Sequence, residues 1–173
     1  MKKVTTLVLF ILFVATSYAQ SDNNINNQAI YTVKTEISEL KNRTLACKVR
    51  NHTIIVDQPK EFNADDLGPT PPEMIAIAYG SCVVSTMQLL ALQRNLIVKN
   101  IYVEVEGFID FSKALGISNA KSRTGFSELN LKIRFDSTMT KEEKELFINN
   151  VLKIGAAIDN VDNPTPVKYE IIN

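Results

Sequence analysis

The sequence predicts an α+β domain, and three features carry that prediction. Residues 74–92 contain no charged side chain, the mark of a helix buried on all sides or of a membrane span. Two stretches, near 101–110 and 128–135, alternate apolar and polar residues as half-buried strands do. A Thr-x-x-Glu capping signature occurs twice, at Thr70 with Glu73 and at Thr140 with Glu143, each time at the start of a helical pattern. Strands, a central helix, two long strands, a surface helix and a closing strand then give antiparallel sheets around one buried helix.

The chain has 173 residues. It opens with Lys2 and Lys3, an apolar run over 7–15, and Ser17-Tyr18-Ala19, the order of a secretory signal peptide. Cleavage is expected near Ala19, giving a periplasmic or secreted protein, and Gln20 in place of a cysteine gives no sign of a lipid anchor. Residues 20–29 are too polar to bury and read as a flexible leader, which leaves 30–173 as one domain. Lys and Arg number 19, as do Asp and Glu, for a formal charge of zero. That balance removes the broad attraction on which nucleic-acid or anionic-membrane binding depends.

Residues 30–37 alternate loosely, with Tyr31, Val33 and Ile37 on one side, and read as a first strand. Residues 44–50 and 53–57 follow as two more, joined tightly through Asn51-His52 into a meander. A polar loop over 58–66 leads to the central helix, whose Thr70-Pro71-Pro72-Glu73 start combines a capping box with proline in the first turn. That helix ends near Arg94-Asn95. After the strand over 101–110, residues 112–124 form a surface excursion, and the chain returns along Leu129, Leu131, Ile133 and Phe135. Leu146, Phe147, Val151 and Ile154 make the apolar stripe of an amphipathic helix closing at Gly155. Residues 167–172 read as a last strand.

Gly80, Ser81, Cys82, Ser85, Thr86 and Gln88 interrupt the apolar run too often for a membrane span, and no Trp or basic cluster marks an interface. A core helix apolar on every face needs cover on every face, and one small sheet supplies one side. A second copy is expected to supply the rest, as an obligate, intertwined homodimer with a large apolar interface.

Metal chemistry has little to stand on, since His52 is the sole histidine and no Cys-x-x-Cys occurs. A serine hydrolase lacks its G-x-S-x-G elbow. Thiol chemistry at Cys82 is what remains. Cys47 alternates with Leu45 and Val49 and points into the core like other small hydrophobes; a single Cys47–Cys82 disulfide is the plainer reading of two cysteines in an exported chain.

Several blocks together resemble the OsmC/Ohr family of osmotically induced and organic-hydroperoxide-resistance proteins. They are residues 49–59 (VRNHTIIVDQP), 68–74 (GPTPPEM), Gly80-Ser81-Cys82, and Arg123-Thr124-Gly125-Phe126 before a strand. The resemblance implies an intertwined α+β homodimer with thiol sites at the subunit interface and peroxide reduction by a cysteine on the central helix, with no metal or cofactor. It makes Cys82 the attacking thiol and Arg50 the guanidinium that holds the thiolate, with Arg43 as second choice. The accompanying glutamate is Glu73, nine residues before Cys82; the hydroperoxide-resistance branch has it ten before, where this chain has Pro72, and the capping box accounts for Glu73 by itself.

The family's second, resolving cysteine is replaced here by the start of Gly155-Ala156-Ala157. The expected activity is therefore a one-cysteine peroxidase acting on organic hydroperoxides and dependent on an external thiol reductant. Two alternatives stand beside it: a non-catalytic protein of the same fold binding a small apolar ligand, and a Cys82 that is an inert core residue.

Overall fold

A computed structural model describes residues 30–117 and 123–172. The expected signal peptide and leader lie outside these, as do residues 118–122 of the surface excursion. The described residues fall into two compact units, one of 30–36 with Lys48–His52, the other of Ile37–Cys47 with 53–117 and 123–172.

Strands β1 (Thr35–Glu39), β2 (Leu45–Val49) and β3 (His52–Val56) make a three-stranded sheet in that order. The first strand begins at Thr35 rather than Ile30, and residues 30–34 are exposed and outside it. The β2–β3 reversal is Arg50-Asn51, one residue earlier than the expected Asn51-His52, with His52 already in β3. Arg50 takes φ 53° there. A positive φ at the first turn position lets two twisted strands reverse within two residues, at about 1 kcal/mol for a non-glycine.

In the larger unit, the buried Asp57 carboxylate closes the loop that leads to the central helix. Its Oδ1 accepts from the Gln58 N–H at 2.8 Å and its Oδ2 from the Leu67 N–H at 3.0 Å, while the Asp57 N–H donates to the Pro69 carbonyl. A 3-10 turn, Lys60–Phe62, lies inside this loop, and the Phe62 ring meets Phe111 edge-on at 6.5 Å.

The central helix α1 (Pro71–Gln93) starts as its sequence dictates. The Thr70 N–H donates to Glu73 Oε2 at 2.7 Å and the Glu73 N–H donates to Thr70 Oγ1 at 3.3 Å. Tyr79, Gly80, Val83, Thr86, Met87, Leu90 and Ala91 are buried. At Gly80 the helix seats closely on β4, since a β-carbon there would lie 2.9 Å from Val105 Cγ2. Ile75, Ile77, Leu89 and Leu92 are exposed, so the single chain covers only one side of a helix expected to be sealed all round. By length and composition α1 would also be able to cross a membrane.

Strands β4 (Val98–Ile109) and β5 (Phe126–Ser137) pair antiparallel from Val98 opposite Ser137 to Ile109 opposite Phe126. Their inward residues Ile101, Val103, Leu129, Leu131 and Ile133 pack on α1 and on helix α2 (Lys141–Ile154). The second capping box holds α2 as the first holds α1, with Thr140 and Glu143 exchanging bonds at 2.8 and 3.3 Å. Val83, Met87 and Val151 are fully buried at the centre. Each such side chain contributes about 1.5–3 kcal/mol.

Helix α2 closes at Gly155, as its apolar stripe predicts, with Gly155 as the C-cap at φ −75°. A further helix that the sequence did not announce, α3 (Ala156–Asp162), follows directly, and its Ile158 is fully buried. One expectation fails beyond it. Residues 167–172 form no strand in the single chain, because no sheet edge of the described residues pairs with them, and Val167, Tyr169, Ile171 and Ile172 are each more than 80% exposed.

Candidate functional site

Cys82 sits midway along α1, half-buried, and both cysteines are free. The expected alternative of a Cys47–Cys82 bridge is therefore not realised. One helical turn later, Thr86 places Oγ1 at 3.9 Å from the sulfur, as i, i+4 spacing allows. Thr86 is itself buried, so its hydroxyl serves the thiol rather than solvent.

One turn before Cys82 stands Tyr79, also buried. Burial first, and then the negative charge of Asp162 and the nearby Cys82, hold the Tyr79 phenol above its ordinary range. The phenol thus stays protonated and able to donate a hydrogen bond.

The third neighbour comes from the α2–α3 junction. A β-carbon built on Gly155 would lie 3.0 Å from Cys82 Sγ and 2.5 Å from Ile158 Cδ1. Gly155 is thus the backbone that covers the sulfur, and Ile158 fills the space a side chain at residue 155 would need. The absence of a side chain there is a packing requirement that adds to the helix-ending role read from the sequence.

The other candidates are placed as follows. Glu73 is committed to the Thr70 N–H at the helix start. The Arg43 guanidinium donates to the Phe62 carbonyl at 2.6 Å, and Arg43, like Arg50, has a positive φ. Arg50 belongs to the smaller unit, where it lines a groove with Tyr31, Val33 and Lys48. Thr86, Tyr79 and Ile158 were not singled out by sequence. Only the i+4 and i−3 offsets of the first two from Cys82 could have flagged them.

An apolar pocket of about 620 Å³ lies over the first turns of α1. Pro72, Ile75 and Ala78 form its floor, Ile109, Phe111 and Phe126 one wall, and Ala157, Asn160 and Val161 of α3 another. Ala78 lies one helical turn before Cys82 and Ala157 two residues after Gly155, while Cys82 is not itself among the lining residues. Arg123 supplies its sole charged lining residue among those described. The volume suits a small organic molecule.

No protein of curated function matches this sequence. Solved structures share its fold. An OsmC-like protein from Mycoplasma pneumoniae superposes with a TM-score of 0.66 at 18% identity, covering 79% of this chain and 91% of that one. An organic hydroperoxide resistance protein from Elizabethkingia anophelis gives 0.60 at 18% identity, covering 79% and 92%. The organic hydroperoxide resistance protein OhrB of Bacillus subtilis gives 0.51 at 15% identity, covering 79% and 94%. The central helix bearing Cys82, the β4–β5 pair and the C-terminal helices all fall within residues 64–170, which the model of the OsmC-like protein family matches, and the chain belongs to that family.

Proposed function

We propose that this protein reduces organic hydroperoxides through Cys82 as a one-cysteine peroxidase. The reading rests on one observation above others: the central-helix thiol of an OsmC-family chain stands half-buried one helical turn after Ala78, which lines an apolar pocket, and has a protein-derived hydrogen-bond partner in Thr86. The Cys82 thiolate attacks one oxygen of the O–O bond. An S–O bond forms, the O–O bond breaks, and the departing alkoxide takes a proton and leaves as the alcohol. Sulfur is oxidised to sulfenic acid. An external thiol then attacks that sulfur and expels water, and a second thiol reduces the mixed disulfide.

Gly155 offers no sulfur to Cys82, which is why the reductant must be external. Arg50 is assigned to hold the thiolate, by its fixed charge, and Glu73 to fix the start of α1. A homodimer is part of the proposal. The uncovered residues Ile75, Ile77, Leu89 and Leu92 of α1, and the exposed Val167, Tyr169 and Ile171, are surface that a second copy would bury. Export after cleavage near Ala19 completes it.

The test is intact-mass spectrometry after one equivalent of an alkyl hydroperoxide. A single added oxygen on Cys82, trapped by dimedone and absent in Cys82→Ser, is expected. An unmodified Cys82 sinks the reading.

Gly155 over the sulfur also motivates a second reading, a non-catalytic protein that uses the same pocket to bind a small apolar ligand. Full ligand binding and undiminished protection of cells by Cys82→Ser would favour it.

A further inference from the structure

We infer that Tyr79 is a further catalytic residue of the reaction proposed above, its hydroxyl giving its proton to the alkoxide that departs when the O–O bond breaks. The inference rests on the peroxidase reading, and it assigns a residue to the one step of that reaction that still lacks a proton donor.

Three residues along an α-helix turn through about 300°, so Tyr79 leaves α1 within about 60° of Cys82, one turn nearer the helix start. Its side chain belongs to the core cluster that includes Val83 and Ile158, and the residue is only 7% exposed. A phenol buried to this degree ordinarily finds a partner for its hydroxyl. Among the described residues the Tyr79 hydroxyl has none. Nor is its oxygen sealed, since Thr44 Oγ1 is the one buried side-chain oxygen without a partner among those residues. Tyr79 thus holds an unused donor, fixed by a packed ring and open to an incoming group.

The relation to the sulfur fits this role. Cys82 is near enough for its charge to act on the phenol, yet the side chain that meets Sγ is Thr86 and not Tyr79. In an in-line displacement the departing oxygen lies beyond the attacked one as seen from sulfur, so its proton donor has to stand clear of the thiolate. Sγ takes the terminal oxygen with its hydrogen, the electron pair of the O–O bond goes to the departing oxygen, and that oxygen takes the Tyr79 proton. An alkoxide is a stronger base than a phenolate, so the transfer runs downhill. Water then returns a proton to Tyr79. Burial first, and then the charge of Asp162, disfavour the phenolate, which keeps the proton in place before the reaction and favours its recovery afterwards.

The test compares the full mature chain with its Tyr79→Phe variant, which keeps the ring and removes the donor. Because the hydroxyl has no partner to lose, the variant is expected to melt with the parent by circular dichroism. Three reagents separate the roles. tert-Butyl hydroperoxide releases an alkoxide that needs a proton, peracetic acid releases acetate that does not, and iodoacetamide reports the thiolate alone. Sulfenic acid at Cys82, trapped by dimedone and timed by peptide mass, is expected to form about a hundredfold more slowly with tert-butyl hydroperoxide in Tyr79→Phe, while the rates with peracetic acid and iodoacetamide stay as in the parent. Equal slowing with both oxidants, slowing of the alkylation as well, or no slowing at all overturns the inference and leaves Cys82 a peroxidase. A parent chain whose Cys82 forms no sulfenic acid with tert-butyl hydroperoxide sinks the peroxidase reading and this inference with it.

Discussion

The backbone of Gly155 closes over the sulfur of Cys82 so tightly that a β-carbon at residue 155 would lie 3.0 Å from Sγ. That is about the distance separating Sγ of one half-cystine from Cβ of the other across an S–S bond. The geometry of a two-cysteine site thus persists without its second sulfur.

Restoring that sulfur should restore the bridge. Because Ile158 Cδ1 would lie 2.5 Å from the new β-carbon, the substitution needs relief, and Gly155→Cys with Ile158→Val is the pair to make. On mild oxidation, titration with a chromogenic disulfide should find one free thiol, Cys47, of the three cysteines. Three free thiols after oxidation would show that the junction cannot bring the sulfurs together. Gly155→Ala alone is expected to destabilise by about 1–3 kcal/mol, as overpacking does, read from urea unfolding.

The Thr86 hydroxyl is the hydrogen-bonding group within reach of the sulfur. Thr86→Val keeps the shape and removes the bond, so alkylation of Cys82 by iodoacetamide at fixed pH should slow about threefold. Unchanged kinetics would reduce the 3.9 Å contact to simple packing.

Asp57 makes stability sensitive to acid. The Leu67 N–H above all, and then the Gln58 N–H, hold its carboxyl below the ordinary 3.8 despite the opposing effect of burial. A carboxyl lowered on folding stabilises the protein fully above its unfolded value, and that contribution is lost as the pH falls through the lower, folded value. Thermal melts from about pH 6 down to about pH 2 should show the native chain losing stability over this range more steeply than Asp57→Asn. At pH 7 the variant should melt about 5 °C lower, having traded charge-assisted bonds for weaker ones.

Residues 167–172 should be needed for assembly. Truncation after Pro166 removes Val167, Tyr169, Ile171 and Ile172, all exposed in the single chain. If a second copy covers them, light scattering behind size exclusion should move from the mass of two chains to that of one. A native chain of one-chain mass would remove the dimer from the proposal.

Both capping boxes, the long strand pair and the span of α1 were legible in the sequence because each is fixed by neighbours in the chain. Thr70 needs only Glu73, and Val103 needs only to alternate with Glu104. What was not legible depends on groups far apart in sequence. Helix α3 was missed because Gly155 reads as a terminal glycine, which it is for α2, while its bare Cα also answers to the lack of room beside Ile158 and Cys82. The alternation of Val167, Tyr169 and Ile171 records a preference for a ladder, and a ladder needs an adjacent edge. The pocket joins Ile75, Phe111, Arg123 and Val161, which no local pattern links.

Gly80 faces β4 from the side of α1 turned away from Cys82, and its missing side chain sets how closely the rod seats on Val105. A single methyl inserted there would act as a shim, lifting the middle of the rod while the Thr70–Glu73 cap keeps its near end moored. Exposure of the sulfur would then change with no residue around it altered.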